Sequence, residues 1–303
     1  MPEWEPFEWL WHGFSTRTGG ETVAYGGGKR DLNLGFTASD SEEIVIANRR
    51  RFLEAVAGLA SVRNQSSLER KMAGSPGLPG LATLKQIHSS LMWRVGKPAG
   101  DSVAARATLP GDGQMTDEPG VLLGIVTADC IPVLVADRRK RAVAAFHAGW
   151  RGTVKRIVEQ GVGRMRLEFG SRPEDLVAAI GPGVGQCCYA VGEEVRSEFE
   201  CQFRYAEELF REVSDRDPVR EKYPMLFLTA LAPGHGPQGL KLHLDLVEAN
   251  RRQLLDAGLR EGAVSVVSEC TSCRTDRYFS HRAEHGFTGR MLSVIGVRWA
   301  MKN

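Results

Sequence analysis

One thiol and two imidazoles occupy positions from which they could meet around a metal ion. Cys130 lies between two short apolar runs, His147 follows a third run, and His88 follows a fourth. Two histidines and one cysteine match a catalytic zinc site, which keeps its fourth position open for water or substrate. Zinc in such a site lowers the pKa of a bound water towards neutrality. The same pattern also fits a buried thiol and two histidines with ordinary hydrogen bonds.

A second pair of thiols, Cys270 and Cys273, is separated by two residues in the sequence CTSC. This spacing is typical of half a structural zinc site or of a redox pair, and His281 and His285 could complete the site. The gap between the two pairs is shorter than in zinc fingers. Free thiols near a turn are therefore the simpler interpretation.

Short apolar runs bounded by turn residues predict the strands that position these side chains. The runs cover residues 121–126, 131–135, 142–146, 176–180, 264–268 and 291–297. Their continuous apolar character predicts strands that are buried on both faces. Helical periodicity covers residues 153–169 and a second segment that ends before Gly258. This interspersion predicts an α/β or α+β layered fold in which loops at strand ends hold the ligands.

Composition and charge set the class of protein. Of the 303 residues, 42% are hydrophobic and 25% are charged, as in soluble globular proteins. The net charge of +2 gives no electrostatic reason to expect nucleic acid or a membrane surface as a partner. We predict one catalytic domain over residues 1–303, with surface insertions near 62–80 and 213–240. The N-terminal segment lacks the pattern of a signal peptide, and the predicted location is the cytoplasm.

The numbers of cysteines and histidines limit the metal chemistry. Six cysteines in 303 residues are far sparser than in small secreted proteins that disulfides hold together. We therefore predict that the thiols are reduced. Cys187 and Cys188 are adjacent and cannot both face one side of a strand, so we interpret them as packing residues. Seven histidines, with no His-x-His pair, are too few for the trinuclear copper cluster of a laccase in addition to a separate copper site.

Several segments together closely resemble the YfiH/YlmD family, whose members are often labelled laccase-domain or multicopper polyphenol oxidase proteins. The segments are HGFSTRTGG, DLNLG, TLKQIH, GVLLGIVTADCIPVLVAD, AVAAFHAGWRGT, IGPGVGQCCYAVGEEV and CTSCRTDRYFSHRAEHGFTGRM. The resemblance implies a single-domain layered α/β fold and a zinc ion held by His88, Cys130 and His147. The implied reactions are phosphorolysis of adenosine, inosine, guanosine and S-methyl-5'-thioadenosine, and hydrolytic deamination of adenosine.

Further site residues lie in or beside the matching segments. Cys130 and His147 are predicted to take part in catalysis as well as in metal binding. Asp129 is the candidate general acid or base, although a carboxylate there could instead orient a ligand or cap a turn. The residues predicted to bind nucleoside or phosphate are Arg17, Asn33, Gln86, Arg151 and Arg282. The predicted partners are these small molecules, in a monomer or small homo-oligomer.

Two other functions use the same residues. A metal-free hydrolase or deamidase would take Cys130 as its nucleophile and His147 or His88 as its base. Copper-dependent oxidation of polyphenols is the second alternative, as a side activity of adventitious copper in the zinc site.

Overall fold

The computed structural model of the chain describes residues 7–25, 30–58, 77–214 and 240–299, together with Trp4 and Lys222. The chain forms two compact units, one of Met1–Gly185 with Leu246–Asn303 and one of Gln186–Asp245. The expectation of one catalytic domain over 1–303 stays a prediction. Within the two predicted insertions, residues 62–76 and 215–239 other than Lys222 lie outside the described part.

Strands and helices are interspersed along both units. The strands are β1 (Leu10–Phe14), β2 (Thr18–Thr22), β3 (Gly80–Thr83), β4 (Met92–Arg94), β5 (Gly113–Thr116), β6 (Val121–Thr127), β7 (Ile131–Asp137), β8 (Val143–Ala148), β9 (Leu176–Ile180), β10 (Ala190–Val191), β11 (Phe210–Ser214), β12 (Leu240–Leu244), β13 (Val264–Val266) and β14 (Met291–Val297). The α-helices are α1 (Glu42–Val56), α2 (Trp150–Val154), α3 (Ile157–Phe169), α4 (Glu193–Gln202), α5 (Ala206–Leu209) and α6 (Leu246–Asp256).

Two mixed sheets of the first unit share one hydrophobic core. One sheet has the strand order β1-β14-β6-β3, and the other has the order β13-β9-β7-β8-β5-β4. The core between them contains Val121, Leu123 and Ile125 of β6 together with Leu134 of β7. Because successive strand residues point to opposite faces, Leu122 lies in a different core on the outer side of its sheet.

Helices cover the outer faces of both sheets. Phe52 and Leu53 of α1 pack with Leu122 and Leu292 on the four-stranded sheet, while α3 and α6 lie against the six-stranded sheet. The central strands are therefore buried on both faces, as their apolar runs predicted, although their pairings with one another are mostly antiparallel. The predicted α/β layered fold is confirmed.

The helix predicted over 153–169 is interrupted. Arg156 adopts a left-handed conformation with φ +58°, and the chain instead forms α2 and, after this break, α3. The side chain of Arg156 pairs with Glu159 of the following turn, which supports the break. Periodicity alone missed it because apolar residues continue on both sides. No helix among the described residues is long and apolar enough to cross a membrane.

The second unit has its own small core. Its three strands form a sheet of order β10-β12-β11. Phe199 of α4 meets Phe210 of β11 edge-on, with ring centroids 5.8 Å apart. Phe199 and Leu244 are fully buried, so this unit is a packed module and not an extended loop.

Two glycines of α3 test the packing of the helix on its sheet. A Cβ atom on Gly161 would overlap the ring of buried Phe146, whereas one on Gly163 would meet nothing within 4 Å. We expect Gly161→Ala to lower the free energy of unfolding by about 1–3 kcal/mol through overpacking. Gly163→Ala should raise it by up to about 1 kcal/mol through helix propensity. Urea unfolding of both variants measures the difference, and equal effects would contradict the described packing.

Candidate metal centre

His88, Cys130 and His147 come together at one end of the two sheets. His88 lies in the connection from β3 to β4 and Cys130 in the connection from β6 to β7, and both connections cross from the four-stranded to the six-stranded sheet. His147 is part of β8. The ligand atoms of the three side chains all lie within 4.8 Å of one another. The predicted triad is therefore assembled and could hold a metal ion.

The spacing of these atoms suits a small tetrahedral metal. Cys130 Sγ lies 3.8 Å from His88 Nε2. A zinc ion with sulfur and nitrogen ligands at about 2.3 and 2.1 Å would separate them by about 3.6 Å. His88 is exposed, Cys130 half-buried and His147 buried, so the open side of the group is the His88 side. The donor set and its openness fit a catalytic zinc site with one position left for substrate or water.

Gly149 makes this close approach sterically feasible. A Cβ atom at this position would lie 3.0 Å from both Cys130 Sγ and His88 Cδ2. Its φ is −70°, a value that any residue can adopt. The requirement for glycine is therefore the space between the ligands and not the backbone conformation.

Asp112 is a buried carboxylate that the sequence analysis did not select. It immediately precedes β5 and holds the His88 loop by accepting hydrogen bonds from the backbone N–H groups of Ile87 at 3.2 Å, His88 at 3.0 Å and Ser89 at 2.6 Å. His88 adopts a left-handed conformation with φ +57°. The three donated hydrogen bonds compensate for this uncommon backbone geometry.

The same carboxylate contacts the ring of His147. Asp112 Oδ1 lies 2.8 Å from His147 Nδ1, and the backbone N–H of His147 donates to the carbonyl oxygen of Asp112 at 2.7 Å. A hydrogen bond from Nδ1–H to the carboxylate leaves Nε2 free to bind a metal. A metal-binding histidine usually donates its second ring N–H to a carboxylate or carbonyl oxygen. A search of the sequence for a carboxylate that could accept from His88 or His147 could therefore have identified Asp112.

His147 shifts the pKa values of Cys130 and Asp112, and both of them shift the pKa of His147. Burial opposes ionisation of the Cys130 thiol, but the charge and hydrogen bond of His147, with those of His88, lower its pKa to about 6. Burial alone would lower the pKa of His147, yet Cys130 and Asp112 raise it to about 9. Despite burial, hydrogen bonds from His147 and Ser89 lower the pKa of Asp112 to about 2. The thiolate of Cys130 and the imidazolium of His147 therefore favour each other, whereas a metal ion would require the neutral imidazole as its ligand.

Asp129, the predicted acid or base, is engaged by another loop. It has φ +88° at the turn between the two sheets. Its Oδ1 accepts from the Thr271 hydroxyl and its Oδ2 from the backbone N–H of Arg282, each at 2.6 Å. These contacts tie the 271–282 loop to the residue beside Cys130, and a role in proton transfer stays a prediction.

Arg17 lies in a buried ion-pair network. Its guanidinium contacts Asp31 at 2.8 Å and Glu284 at 3.0 Å, and it also donates to the carbonyl oxygen of Thr275. The ring of Phe279 lies below it at 4.6 Å. These contacts connect the N-terminal segment to the 275–284 loop, and a role of Arg17 in binding nucleoside or phosphate stays a prediction.

The two predicted amide contacts to substrate are also occupied by protein. Gln86 exchanges hydrogen bonds of 2.7 and 2.8 Å with the backbone of Val126, continuing the pairing of β3 with β6. Buried Asn33 bonds to both backbone groups of Gly35 and accepts from the backbone N–H of Arg290. Gln86 thus contacts the end of β6 and Asn33 the residue before β14, and a contact of either amide with substrate stays a prediction.

Arg151 and Arg282 are the remaining predicted anion contacts. Both side chains are exposed. The guanidinium of Arg151 lies 4.4 Å from the ring centroid of Trp150. Trp150 is the residue directly after Gly149 in the chain. Arg282 belongs to the loop that Asp129 anchors, and its backbone N–H donates to that carboxylate. Arg151 is thus linked to the metal centre through the chain near Gly149. Arg282 is linked to it through Asp129, the residue before Cys130.

All six cysteines are free thiols in the structure. The Sγ atoms of Cys270 and Cys273 lie within 4.8 Å of each other. Across the described residues, neither His281 nor His285 belongs to a group of metal-ligating atoms with them, which argues against that Cys2His2 set.

The interpretation of Cys187 and Cys188 as packing residues is wrong. Cys187 is exposed and Cys188 is only half-buried. The prediction failed because an adjacent pair was judged from strand alternation, whereas these residues precede β10 in a turn.

Replacing Gly149 tests the geometry of the centre. We expect Gly149→Ala to reduce zinc affinity by about tenfold or more, because the added methyl group displaces two ligands. Gly96→Ala is the control, since a Cβ atom there meets nothing within 4 Å. Competition with a chromophoric chelator measures both affinities. Unchanged affinity in Gly149→Ala would contradict the described ligand arrangement.

Comparisons with known proteins agree with the fold and identify the family. A family model described as "Multi-copper polyphenol oxidoreductase laccase" matches residues 59–298. The chain is 34% identical over 296 residues to "Purine nucleoside phosphorylase YlmD" of Geobacillus stearothermophilus, covering 97% of this chain and 92% of that protein. It is 36% identical over 238 residues to "Purine nucleoside phosphorylase" of Bacteroides thetaiotaomicron, covering 78% and 79% of the two chains.

A solved structure has the same fold. The crystal structure of the hypothetical protein YfiH from Bacillus licheniformis superposes with a TM-score of 0.71 at 30% identity, covering 98% of this chain and 94% of that one. Together with the sequence matches, this similarity extends over both compact units. The chain belongs to the multi-copper polyphenol oxidoreductase laccase family and is a relative of the YlmD and YfiH proteins.

Proposed function

We propose that the chain is a zinc-dependent purine nucleoside phosphorylase that also deaminates adenosine. The observation that carries the proposal is the convergence of His88, Cys130 and His147, with ligand atoms within 4.8 Å, in a chain whose relatives are named purine nucleoside phosphorylases. Two imidazoles and a thiolate favour zinc over hard cations such as magnesium. Adenosine, inosine, guanosine and S-methyl-5'-thioadenosine are the proposed substrates.

Phosphorolysis sets clear requirements for the protein. The bond between ribose C1' and the base nitrogen breaks, the electron pair leaves with the base, and a phosphate oxygen bonds to C1'. The protein must therefore hold an anion next to a sugar on which positive charge develops. Zinc, when bound, supplies a Lewis acid on the open side of the centre.

Arg151 and Arg282 are the proposed phosphate contacts. A guanidinium presents paired N–H donors that match phosphate oxygens. Arg151 is exposed and packs over Trp150 at 4.4 Å, which limits the conformations of its long side chain. Arg282 is exposed as well, and its backbone is held by Asp129 at 2.6 Å. Asp129 thus acts as a positioning residue for Arg282 in this proposal.

Copper oxidase chemistry has less support. Within residues 7–25, 30–58, 77–214 and 240–299, the His88, Cys130 and His147 group is the one potential metal-binding group that contains histidine. A laccase requires a further trinuclear copper cluster. The family name therefore does not describe the centre that these residues form.

Incubation of the zinc-loaded protein with adenosine and phosphate tests the function. We expect adenine with ribose 1-phosphate, and inosine from deamination, because both reactions are proposed for one centre. Cys130→Ala should lose the bound zinc and both activities. Cys201→Ala, which removes an exposed thiol of α4, is the matched control and should keep them. If no purine nucleoside yields product with the zinc-loaded protein, the proposed function is wrong.

The metal-free alternative has one supporting observation, the lowered pKa of Cys130. The pKa of about 6 predicts that iodoacetamide modifies Cys130 in the chelator-treated protein with a rate that rises through about pH 6. The rate rises with pH because the thiolate, and not the thiol, is the nucleophile. Under our proposal zinc protects the thiol and the chelated protein is inactive. Full activity after chelation would instead support a Cys-His hydrolase or deamidase.

A further inference from the structure

We propose that Asp112 is the positioning residue of the metal centre, because its one carboxylate holds both histidine ligands in place. The inference rests on the proposed zinc site but not on the identity of the substrate. Asp112 is fully buried, so it does not contact substrate and acts through His88 and His147.

The first contact fixes His147. Its ring is held at Nδ1 by the Asp112 carboxylate at 2.8 Å, and its backbone N–H is held by the Asp112 carbonyl at 2.7 Å. The neighbouring pair Gly113–Phe146 continues this register between β5 and β8. Ring and main chain of His147 are thus oriented by one residue, which directs Nε2 towards Cys130 and His88.

The second contact fixes His88. The backbone N–H groups of Ile87, His88 and Ser89 converge on the same carboxylate, and the Ser89 hydroxyl donates to it at 2.7 Å. His88 is left-handed, a conformation uncommon for residues other than glycine. Without the carboxylate, three converging N–H groups would lose their acceptor. The exposed ligand therefore depends on the same charge as the buried one.

If Asp112 only capped a turn, its carboxylate would need hydrogen bonds from the His88 loop alone. The contact with His147 Nδ1 comes from a different strand and serves no turn. Two ligands separated along the chain share one acceptor, and this arrangement is the observation that distinguishes positioning of the metal ligands from local support of a loop.

Zinc affinity of Asp112→Asn tests the inference directly. An amide cannot accept from all of these donors, because its NH2 group faces N–H groups. We expect a loss of zinc affinity of about 10- to 100-fold, as for other residues that orient metal ligands. Ser89→Ala is the matched control. It removes one donor to the same carboxylate but leaves the His147 contact intact, and we expect a much smaller loss.

A double-mutant cycle separates positioning from general support. In a His147→Ala background, Asp112→Asn should cost less zinc affinity than in the wild type, because one of the two ligands it orients is gone. An equal loss in both backgrounds, or no loss in Asp112→Asn, would overturn the inference. Zinc binding that depends on Asp112, with no product from any nucleoside, would refute the proposed function and support the inference.

A measurement on the zinc-loaded wild type covers the case in which Asp112→Asn does not fold. Nitrogen-15 NMR of the His147 ring should show a slowly exchanging proton on Nδ1, bonded to the carboxylate, and metal on Nε2. An Nδ1 without a proton would overturn the inference.

Discussion

The carboxylate of Asp112 is fully buried, and its low pKa keeps it charged. Burying an unpaired carboxylate is costly, so its location requires donors on several sides. Those donors are the backbone of residues 87–89, the Ser89 hydroxyl and the ring of His147. Because the donors come from separate elements, the charge can be satisfied only when the β3–β4 loop and β8 are both in place. The geometry of the centre depends on this one ion.

Burial on both faces of the sheets explains which elements the sequence predicted. The runs at 176–180 and 291–297 match β9 and β14 because every residue in these strands is buried, so apolar character continues without alternation. The break at Arg156 could not be found in this way, since a left-handed residue between two apolar turns leaves no trace in the periodicity. Side-chain burial is encoded in composition, whereas a backbone reversal at one residue is not.

The site was predictable to the extent that its residues carry rare chemistry. Cysteine and histidine are few, and their motifs selected the triad. Asn33, Gln86 and Arg17 belong to equally distinctive motifs, but their polar groups bind backbone or carboxylate partners within the fold. A motif shows that a residue is constrained and does not show whether a ligand or the protein imposes the constraint. Asp112 was missed because its partners are distant in sequence and become apparent only when the sheets pack.

The unequal burial of the two histidines gives them different parts in metal exchange and in the strength of metal binding. His147 is 4% exposed and belongs to a strand in the core, whereas His88 is exposed on a loop. A strand residue moves only when the core opens, but a loop residue can swing away while the fold stays intact. In the proposed zinc site, the metal would therefore enter and leave through the His88 side. The loop would govern how fast the metal exchanges, while the strength of binding would also depend on the anchored strand.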